Sequence, residues 1–468
     1  MSKSPIVNGL KKYKDEEVIS FHMPGHKMNR RRFEKLEELR QNLWEFDNTE
    51  VPGLDCLYGS EEIIRESQDN AAKIYRAKKA HFLVNGSTGG IYSMITGVVS
   101  KGEKILIQRN CHRSVYTSVI LGDLKVDYID PEVIKGWNIA GAVTVDSVKK
   151  AIEENPDTKV IVLTYPTYHG ICCDLESISK LTKSKGIKLL VDSAHGAHLG
   201  FTNSLPKSAL DAGVDVAVAS LHKTAPAMTQ TSLLLESESL GDSRIETMLE
   251  IYQSTSPSYI LMASIEQAVE IMNESGRELL EELKLYIDEF IEESNSLNIK
   301  VLKKEDLNPE FSLDWTKVNI LSSLQGDILS ERLRENKIQS EMSQANVVTL
   351  LSSIGNQRED FEKLMLALSK IELKSELKTE DITLSSKPII KMTPREAFYT
   401  KGKKVLLEDS IGMISLEMVC PYPPGIPILM AGEEITSEVL ISIKEMINKK
   451  IRINGPEDKE LKYIRVVE

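Results

Sequence analysis

The residue of this sequence with the clearest capacity for chemistry is a lysine that follows a predicted strand. Lys223 stands in the motif SLHKT (220–224), directly after the apolar run DVAVAS (215–220). A lysine amine can form an imine with an aldehyde, and burial or a nearby cation lowers its pKa and favours that reaction. A lysine in a loop is more often a solvated surface group. The prediction therefore depends on which other groups accompany Lys223.

Two further motifs carry groups that could act together with Lys223. Asp192 ends the apolar run KLLVDSA (188–194), 31 residues before Lys223. At the end of a strand, its carboxylate could keep the ring nitrogen of a ligand protonated, or it could cap the next helix. The turn NGSTGG (85–90) precedes an apolar helical segment, and glycines beside a helix N-terminus can bind a phosphate. Ser87 and Thr88 add hydroxyl groups, although a helix cap with a tight turn explains the motif equally well.

The histidines crowd into the first half of the chain. All eight lie at or before position 222, at His22, His26, His81, His112, His169, His195, His198 and His222. This crowding predicts that they share one site. His112 follows the strand-like run KILIQ (104–108), where its ring could stack on a flat ligand. The alternative for His112 is a surface histidine at the start of a helix.

The elements that position these residues alternate along the chain. Short apolar runs predict strands, with helices between most of them, at 81–86, 104–108, 159–166, 188–194, 215–220 and 232–236. This pattern predicts a mostly parallel sheet covered on both faces, with ligands bound at the carboxyl ends of its strands. Residues 257–295 are predicted to form two helices broken near Gly276. The predicted divisions are an irregular arm (1–50), a large domain (51–295), a small α/β domain (296–375), a linker (373–388) and a C-terminal domain (385–468).

The composition restricts the classes of partner and compartment. A formal charge of −12 and a pI near 5.4 argue against nucleic acid and against an anionic membrane surface as partners. Without a signal-like segment or a long apolar run, we expect a cytoplasmic protein. The five cysteines fit no zinc spacing, which predicts reduced thiols and no metal site. Of the adjacent pair, we expect one of Cys172 and Cys173 to be buried and the other exposed.

Eight motifs together carry a resemblance to a known family. They are FHMPGHK (21–27), NGSTGG (85–90), RNCHRS (109–114), DSAHGAH (192–198), SLHKT (220–224), TSPSY (255–259), MTPREAF (392–398) and PYPPGIP (421–427). The sequence resembles the Orn/Lys/Arg decarboxylase family of pyridoxal-phosphate (PLP) enzymes over nearly its whole length, and is similar to the shorter Gram-positive arginine decarboxylase-like type. The resemblance implies an α/β fold: a fold-type-I PLP-dependent transferase (aspartate aminotransferase-like) large domain with a mostly parallel sheet, a smaller α/β domain and a C-terminal decarboxylase domain.

The resemblance also implies a role for each matching residue. Lys223 would carry PLP, Asp192 would bind the pyridine nitrogen, and His112 and Ala194 would lie on opposite faces of the ring. The phosphate would be held at Ser87, Thr88, Gly89, Ser220 and His222, and by Ser256 of the neighbouring subunit. Relatives often carry Ser, Thr or Val at the position of Gly89, so this chain lacks one side chain there. His222 or Lys223 would return a proton to Cα, and the substrate residues would include His26, His195 and Glu417.

The activity implied by the resemblance is PLP-dependent decarboxylation of a basic amino acid in polyamine metabolism. Conversion of arginine to agmatine is favoured, while lysine or ornithine stays open as substrate. The family also implies a homodimer or larger homo-oligomer with shared active sites. Two other functions remain open at this point: a PLP-dependent aminotransferase on the same fold, and a catalytically silent PLP-binding protein.

Overall fold

The computed structural model describes residues 4–29, 32–375, 388–421, 427–448, 451 and 453–468. Its first fifty residues contain regular structure, namely α1 (Pro5–Asp15), β1 (Ile19–Phe21) and α2 (Lys35–Gln41). The prediction of an irregular arm is therefore wrong. Pro5 lies in the first turn of α1, where its missing N–H would have no helical partner in any case. The three-residue strand β1 pairs in parallel with residues 338–340.

The large domain alternates strands and helices, as the sequence predicts. Its elements are α3 (Ile63–Ile74), β2 (Lys79–Leu83), α4 (Gly86–Val98), β3 (Lys104–Gln108), α5 (Arg113–Gly122), β4 (Lys125–Ile129), β5 (Val133–Ile134), β6 (Ile139–Ala140), α6 (Val145–Glu154), β7 (Thr158–Thr164), β8 (Ile171–Cys172), α7 (Leu175–Ser184), β9 (Lys188–Asp192), β10 (Val216–Ala219), α8 (Leu221–Thr224), β11 (Ser232–Glu236), α9 (Ile245–Tyr252) and α10 (Tyr259–Ser294).

A seven-stranded sheet forms the centre of the large domain, in the order β2-β11-β10-β9-β7-β3-β4. All of these strands run parallel except β11, which is antiparallel to both of its neighbours. Alternate residues of each strand enter different apolar cores. In β7, Ile161 and Leu163 pack in one core, whereas Val160 and Val162 pack in the other. Burial of both faces explains why these strands are uninterrupted apolar runs in the sequence, and the predicted parallel sheet is confirmed.

Helix α10 differs from the prediction. It runs unbroken over 36 residues from Tyr259 to Ser294, so the predicted break near Gly276 is wrong. Gly276 is buried, and a Cβ atom there would lie 3.1 Å from Cε of Met272. A glycine inside a helix costs about 1 kcal/mol relative to alanine. Burial of the apolar side of α10, which includes Ile265, Leu283 and Phe290, outweighs that cost.

A smaller α/β unit follows α10. Its elements are β12 (Ile299–Val301), β13 (Ser312–Leu313), β14 (Lys317–Ser322), α11 (Gly326–Glu335), β15 (Ile338–Ser340), β16 (Met342–Gln344), β17 (Val347–Leu351) and α12 (Arg358–Ser369). Four of these strands form an antiparallel sheet in the order β12-β14-β17-β16. Its apolar residues share one continuous core with the large domain. The unit is therefore packed firmly against the large domain.

The C-terminal region has an apolar core of its own. Its elements are α13 (Pro394–Tyr399), β18 (Gly402–Leu406), β19 (Cys420–Pro421), α14 (Ser437–Asn448), β20 (Ile453–Asn454) and β21 (Tyr463–Val467). A buried two-bond ion pair joins it to the large domain, with Arg109 donating to the Glu433 carboxylate at 2.6 and 3.0 Å. Most of the predicted linker (376–387) and of the PYPPGIP motif (422–426) lies outside the described residues. The predicted domain boundaries stay predictions.

The cysteines correct one expectation. All five are free thiols, and Cys172 and Cys173 are both buried, with exposed fractions of 0% and 5%. The expected pair of one buried and one exposed thiol is therefore wrong. Among the described residues, no group of histidine, cysteine or acidic side chains is arranged to hold a metal ion. Within the same residues, no helix has the length and apolar character needed to cross a bilayer.

Candidate active site

The predicted site residues meet at one edge of the large sheet. Asp192 is the last residue of β9, and the turn of α8 that contains Lys223 follows β10 directly. Helix α4 begins three residues after β2, and His112 lies four residues after β3. Because these four strands are parallel, their carboxyl ends lie on the same edge. Ligands of open α/β sheets bind along such an edge.

The amine of Lys223 lies next to a histidine ring. Its Nζ atom is 3.1 Å from Nε2 of His195. Burial lowers the pKa of Lys223, and the charge of Lys317 acts in the same direction, while Asp192 and Glu341 oppose the shift. A lower pKa increases the fraction of neutral amine near pH 7. The neutral amine is the form that attacks an aldehyde.

Asp192 presents a carboxylate in nearly complete burial. The residue is 3% exposed, and its Oδ1 accepts a hydrogen bond from the Ala194 N–H at 3.1 Å. Its second oxygen accepts no hydrogen bond within the described part of the chain. A buried anion is stable only when it is paired or hydrogen-bonded. The protonated ring nitrogen of a ligand would supply the missing partner.

The unpaired hydroxyl of Ser220 is the feature of the site that best indicates a bound phosphate. Ser220 is completely buried, and its Oγ has no hydrogen-bond partner among the described residues. His222 donates from Nδ1 to the carbonyl of Thr231 at 2.8 Å, which leaves its Nε2 for another contact. The first turn of α4 adds Ser87 and the exposed Thr88. An unpaired buried donor is costly unless a ligand satisfies it, so these residues fit PLP, which carries a phosphate, an aldehyde and a ring nitrogen.

Gly89 leaves space beside the candidate phosphate site formed by Ser87, Thr88, Ser220 and His222. A Cβ atom built there would lie 3.4 Å from Cβ of Asn85 and 3.5 Å from the carbonyl oxygen of Tyr252, which are ordinary contact distances. A side chain at this position would therefore fit. The missing side chain removes one potential contact and does not distort the start of α4.

Only some of the histidines belong to this site. The pKa of His112 is lowered chiefly by desolvation, and the charges that act on it include Asp192 and Lys223. His195 packs on Tyr168, with ring centroids 4.4 Å apart. In contrast, His81 lies in the middle of β2 and pairs with Glu236, the last residue of β11, at 2.7 Å. His169 bonds to Asn319, Thr349 and Gln344 in the small unit. The prediction of one shared histidine site is therefore wrong.

Three predicted residues make no hydrogen bond to Lys223 within the described part of the chain. His26 lines a separate cavity between the N-terminal segment and the small unit. Glu417 accepts backbone hydrogen bonds from Glu457 at 2.8 Å and Arg465 at 2.9 Å, which engages both carboxylate oxygens inside the C-terminal region. Ser256 is exposed and bonds within its own loop, where its N–H donates to Oγ of Ser254 at 3.1 Å. The roles of these residues stay predictions.

The sequence analysis missed a group of charged residues from the small unit. Glu341 acts on the pKa of Lys223, and it accepts hydrogen bonds from the Met23 N–H at 2.9 Å and the Tyr168 hydroxyl at 3.2 Å. Lys317 donates to the backbone carbonyl of His195 at 3.0 Å and to the Asp314 carboxylate. No local pattern marks these residues, because they reach the site from strands that follow α10.

Lys317 and Asp314 form a buried ion pair that positions His195. Both side chains are at most 2% exposed, and Asp314 also contacts Nε2 of His198 at 3.1 Å. We expect Lys317→Met to destabilise the folded chain by about 3–5 kcal/mol, because it removes the cation paired with the buried Asp314 carboxylate and leaves that charge only the neutral partners Thr316 and His198. The double variant Asp314→Asn/Lys317→Met should recover a large part of that loss. Urea denaturation followed by circular dichroism measures both changes, and equal stability of the single variant and the wild type would contradict the assignment.

Comparison with known proteins identifies the family. The protein-family model described as "Orn/Lys/Arg decarboxylase, major domain" matches residues 4–360 of the sequence. The model of the C-terminal domain of the same family matches residues 377–450. The chain belongs to the Orn/Lys/Arg decarboxylase family. The family predicted from the eight motifs is therefore confirmed.

Similar proteins span almost the whole of this decarboxylase-family chain. An arginine decarboxylase of Bacillus subtilis (strain 168) is 34% identical, with 99% of this chain and 98% of that protein covered. An arginine decarboxylase of Halalkalibacterium halodurans is 32% identical over the same shares. Lysine decarboxylase A from Pseudomonas aeruginosa has a similar structure, with a TM-score of 0.76 and 19% identity over 99% of this chain and 82% of that chain.

Membership of the family confirms two further predictions. The Orn/Lys/Arg decarboxylase family is PLP-dependent, in agreement with the predicted cofactor. The neighbours also share the fold-type-I architecture, which confirms the predicted fold class.

Proposed function

We propose that this chain decarboxylates a basic amino acid with PLP and that arginine is its preferred substrate. The single observation that supports the proposal most strongly is the meeting of Lys223, Asp192 and the unpaired Ser220 hydroxyl at one sheet edge. The preference for arginine rests on the names of the relatives that match over nearly their full length. When bound, PLP supplies an aldehyde and a ring that accepts the electron pair released at Cα.

The residues of the chain would bind the cofactor and fix its orientation. Lys223 would bind the cofactor covalently, and Asp192 would hold the proton on the ring nitrogen. Ser87, Thr88, Ser220 and His222 would fix the phosphate, so that the ring cannot rotate in the site. His112 and Ala194 would confine the ring from its two faces. A fixed ring lets the protein choose which bond at Cα lies perpendicular to it, and that choice selects decarboxylation.

His195 is placed to influence the proton on Lys223. Burial and the nearby cations Lys223 and Lys317 lower the pKa of His195 well below its usual value, which keeps its ring neutral near pH 7. A neutral ring 3.1 Å from Nζ can accept a hydrogen bond from the amine and so hold it in place. Either His222 or Lys223 would then deliver a proton to Cα, as the resemblance implies.

An aminotransferase on the same fold fits the small unit less well. That reaction requires an arginine that binds the substrate carboxylate. Residues 296–375, all of which are described, contain three arginines, and each pairs with a carboxylate of the protein: Arg332 with Glu335, Arg334 with Glu16, and Arg358 with Glu289. These arginines are already paired with carboxylates of the protein.

A substrate panel tests the proposed function. The PLP-saturated chain is incubated separately with arginine, lysine and ornithine, and the amine products are identified by mass spectrometry. We expect release of CO₂ and agmatine from arginine, with at least about tenfold lower kcat/KM for the other two, because each presents its cation at a different reach. Transfer of the amino group to a keto acid would support the aminotransferase. Cofactor binding without any product would support the silent protein.

We also propose that the chain works as a homodimer or larger homo-oligomer in the cytoplasm. In the single chain, Ser256 is exposed and Thr88 is exposed at the start of α4. The segment before Ser256 touches this start, since Asn85 donates to the carbonyl of Tyr252 at 2.9 Å. Sedimentation velocity of the PLP-saturated chain tests the oligomeric state, and a monomer with full activity would contradict the shared site.

A further inference from the structure

The carboxylate of Glu341 lies beside the candidate active site without a cation bound to it. Its two oxygens each accept a hydrogen bond from a neutral donor, the Met23 N–H at 2.9 Å and the Tyr168 hydroxyl at 3.2 Å. Within the described residues, no lysine, arginine or histidine forms an ion pair with this half-buried side chain. Each carboxylate oxygen can accept a further hydrogen bond. Glu341 can therefore still bind a cation from outside the chain.

The backbone around Glu341 fixes the position of its side chain. Glu341 stands between β15 and β16, and its N–H donates to the carbonyl of Thr349 in β17 at 3.0 Å. Strand β1 runs parallel to β15, with Phe21 beside Ser340, so the chain that leaves β1 brings the Met23 N–H to the carboxylate. A binding group held by strands in this way needs little reorganisation when its ligand arrives.

A series of contacts leads from Glu341 to the amine of Lys223. The Tyr168 ring, whose hydroxyl donates to Glu341, packs on the ring of His195 with centroids 4.4 Å apart. His195 in turn places its Nε2 atom 3.1 Å from Nζ of Lys223. An amino acid bound with its α-amine at the position of Nζ could therefore extend its side chain along Tyr168 toward the carboxylate.

The other carboxylates considered for this site are already engaged. Asp192 is assigned to the ring nitrogen of the cofactor. Asp314 is paired with Lys317 inside the protein. Glu417 accepts two backbone hydrogen bonds inside the C-terminal region. Of these acidic residues, Glu341 is the one left to bind a substrate cation.

The buried lysine Lys27 does not occupy the carboxylate. Burial lowers the pKa of Lys27 to about 7, and the charge of Glu341 opposes that shift. The amine of Lys27 donates to the carbonyls of His22 at 2.5 Å and Leu351 at 2.8 Å, not to Glu341. A pKa near 7 also leaves a large fraction of this amine neutral at physiological pH. A substrate cation would supply the contact that Lys27 does not make.

We propose that Glu341, oriented by Tyr168 and by the Met23 N–H, binds the distal cation of the basic amino acid and so determines which side chains the site accepts. This inference rests on the proposed function and adds the residue that recognises the substrate side chain. A guanidinium presents a planar fork of N–H donors that matches the two oxygens of one carboxylate, whereas an ammonium acts as a point charge. The assignment therefore favours arginine among the basic amino acids.

Calorimetry on the PLP-saturated full chain tests the contact without turnover. The probes are agmatine, which carries a guanidinium, and pentylamine, which has a similar length and an apolar end. We expect Glu341→Gln to weaken agmatine binding by at least about tenfold, because a charge-assisted hydrogen bond is lost. Pentylamine binding should change less than about twofold, because it makes no such bond. The matched control is Glu310→Gln, which alters another half-buried carboxylate of the small unit, bonded to the Val145 N–H at 2.5 Å.

Turnover of two substrates separates recognition from a structural role. The kcat/KM for arginine relative to that for norleucine, which has no distal charge, should fall at least about tenfold in Glu341→Gln. The loss should appear mainly in the KM for arginine. Tyr168→Phe keeps the ring on His195 and removes one orienting hydrogen bond, so it should cause a smaller loss of the same kind. Circular dichroism should show the same fold for each variant.

A shorter acid at position 341 provides a further test that does not depend on loss of charge. Glu341→Asp withdraws the carboxylate by one methylene group, so the variant should prefer homoarginine to arginine when compared with the wild type. The same preference as the wild type would contradict direct contact with the substrate side chain. If Glu341→Gln does not fold, this variant decides the proposal.

The outcomes distinguish this inference from the proposed function. Equal weakening of agmatine and pentylamine in Glu341→Gln, or unchanged binding of agmatine, would overturn the role of Glu341. A wild type that decarboxylates arginine while Glu341→Gln keeps the same preference over norleucine would overturn this role alone. A wild type that binds agmatine through Glu341 and decarboxylates no basic amino acid would support the cation site and refute the proposed function.

Discussion

Replacement of Lys223 by alanine is expected to lower kcat by at least about a thousandfold, because it removes the group that binds the cofactor covalently. The geometry supports this expectation, since the amine lies at the carboxyl end of β10 and burial lowers its pKa. The measurement is CO₂ release from arginine at saturating PLP. Borohydride treatment followed by peptide mass spectrometry should find the cofactor attached at position 223 in the wild type and nowhere in the variant.

A matched control separates this effect from a general loss of lysine. Lys185→Ala removes an exposed lysine just after α7 and should leave both kcat and the attached cofactor unchanged. Circular dichroism should show the same fold for both variants. If Lys223→Ala kept the covalent cofactor and its turnover, the proposed role of Lys223 would have to be abandoned.

Substitution of Asp192 by asparagine is expected to lower kcat by about 10²–10³-fold while the fold is retained. Asparagine has almost the same shape and can still accept the hydrogen bond from Ala194. It has no charge, so it cannot stabilise a proton on the ring nitrogen, and the ring becomes a weaker acceptor of electrons. The change is therefore electrostatic, and steric effects are kept small.

Two measurements distinguish this role from a structural one. The first is kcat, compared with Asp157→Asn, which alters an exposed carboxylate paired with Lys104 at 3.1 Å. The second is the pH titration of the visible absorbance of the bound cofactor, which should shift in Asp192→Asn and not in Asp157→Asn. A kcat within about threefold of the wild type would fall short of the loss expected for a preorganised charge and would assign Asp192 to the fold alone.

The parts of the fold that could be predicted from the sequence are those in which a short stretch of residues already shows whether it is buried. Strands β3 and β11 occupy the predicted residues because short runs with both faces buried are apolar throughout. The order of Asp192 and Lys223 along the chain also placed them on one edge, since parallel strands share their carboxyl ends. Tertiary packing decided the cases that failed. Gly276 stays helical because α10 is held by both the large domain and the small unit.

The residues around the site were harder to predict, because they come from distant parts of the chain. Glu341, Lys317 and Asp314 lie more than ninety positions after Lys223, and each stands in a polar or mixed stretch without a motif. Pairing of β13 with β8 and of β1 with β15 brings the small unit and the N-terminal segment against the site. Such long-range pairings are visible only in the folded chain.

The ion pair between Arg109 and Glu433 has a consequence for any attempt to divide this protein into pieces. Arg109 is three residues before His112, and its guanidinium also packs over the ring of Tyr128 at 4.2 Å. A fragment that ends before the C-terminal region would leave that guanidinium without its carboxylate in largely apolar surroundings. The loop that presents the imidazole would lose its anchor, and the fragment would gain a strong tendency to unfold or aggregate. Removal of the C-terminal region would therefore disturb the cofactor site through the loss of one ion pair. The large domain and the C-terminal region should be expressed together as one folding unit.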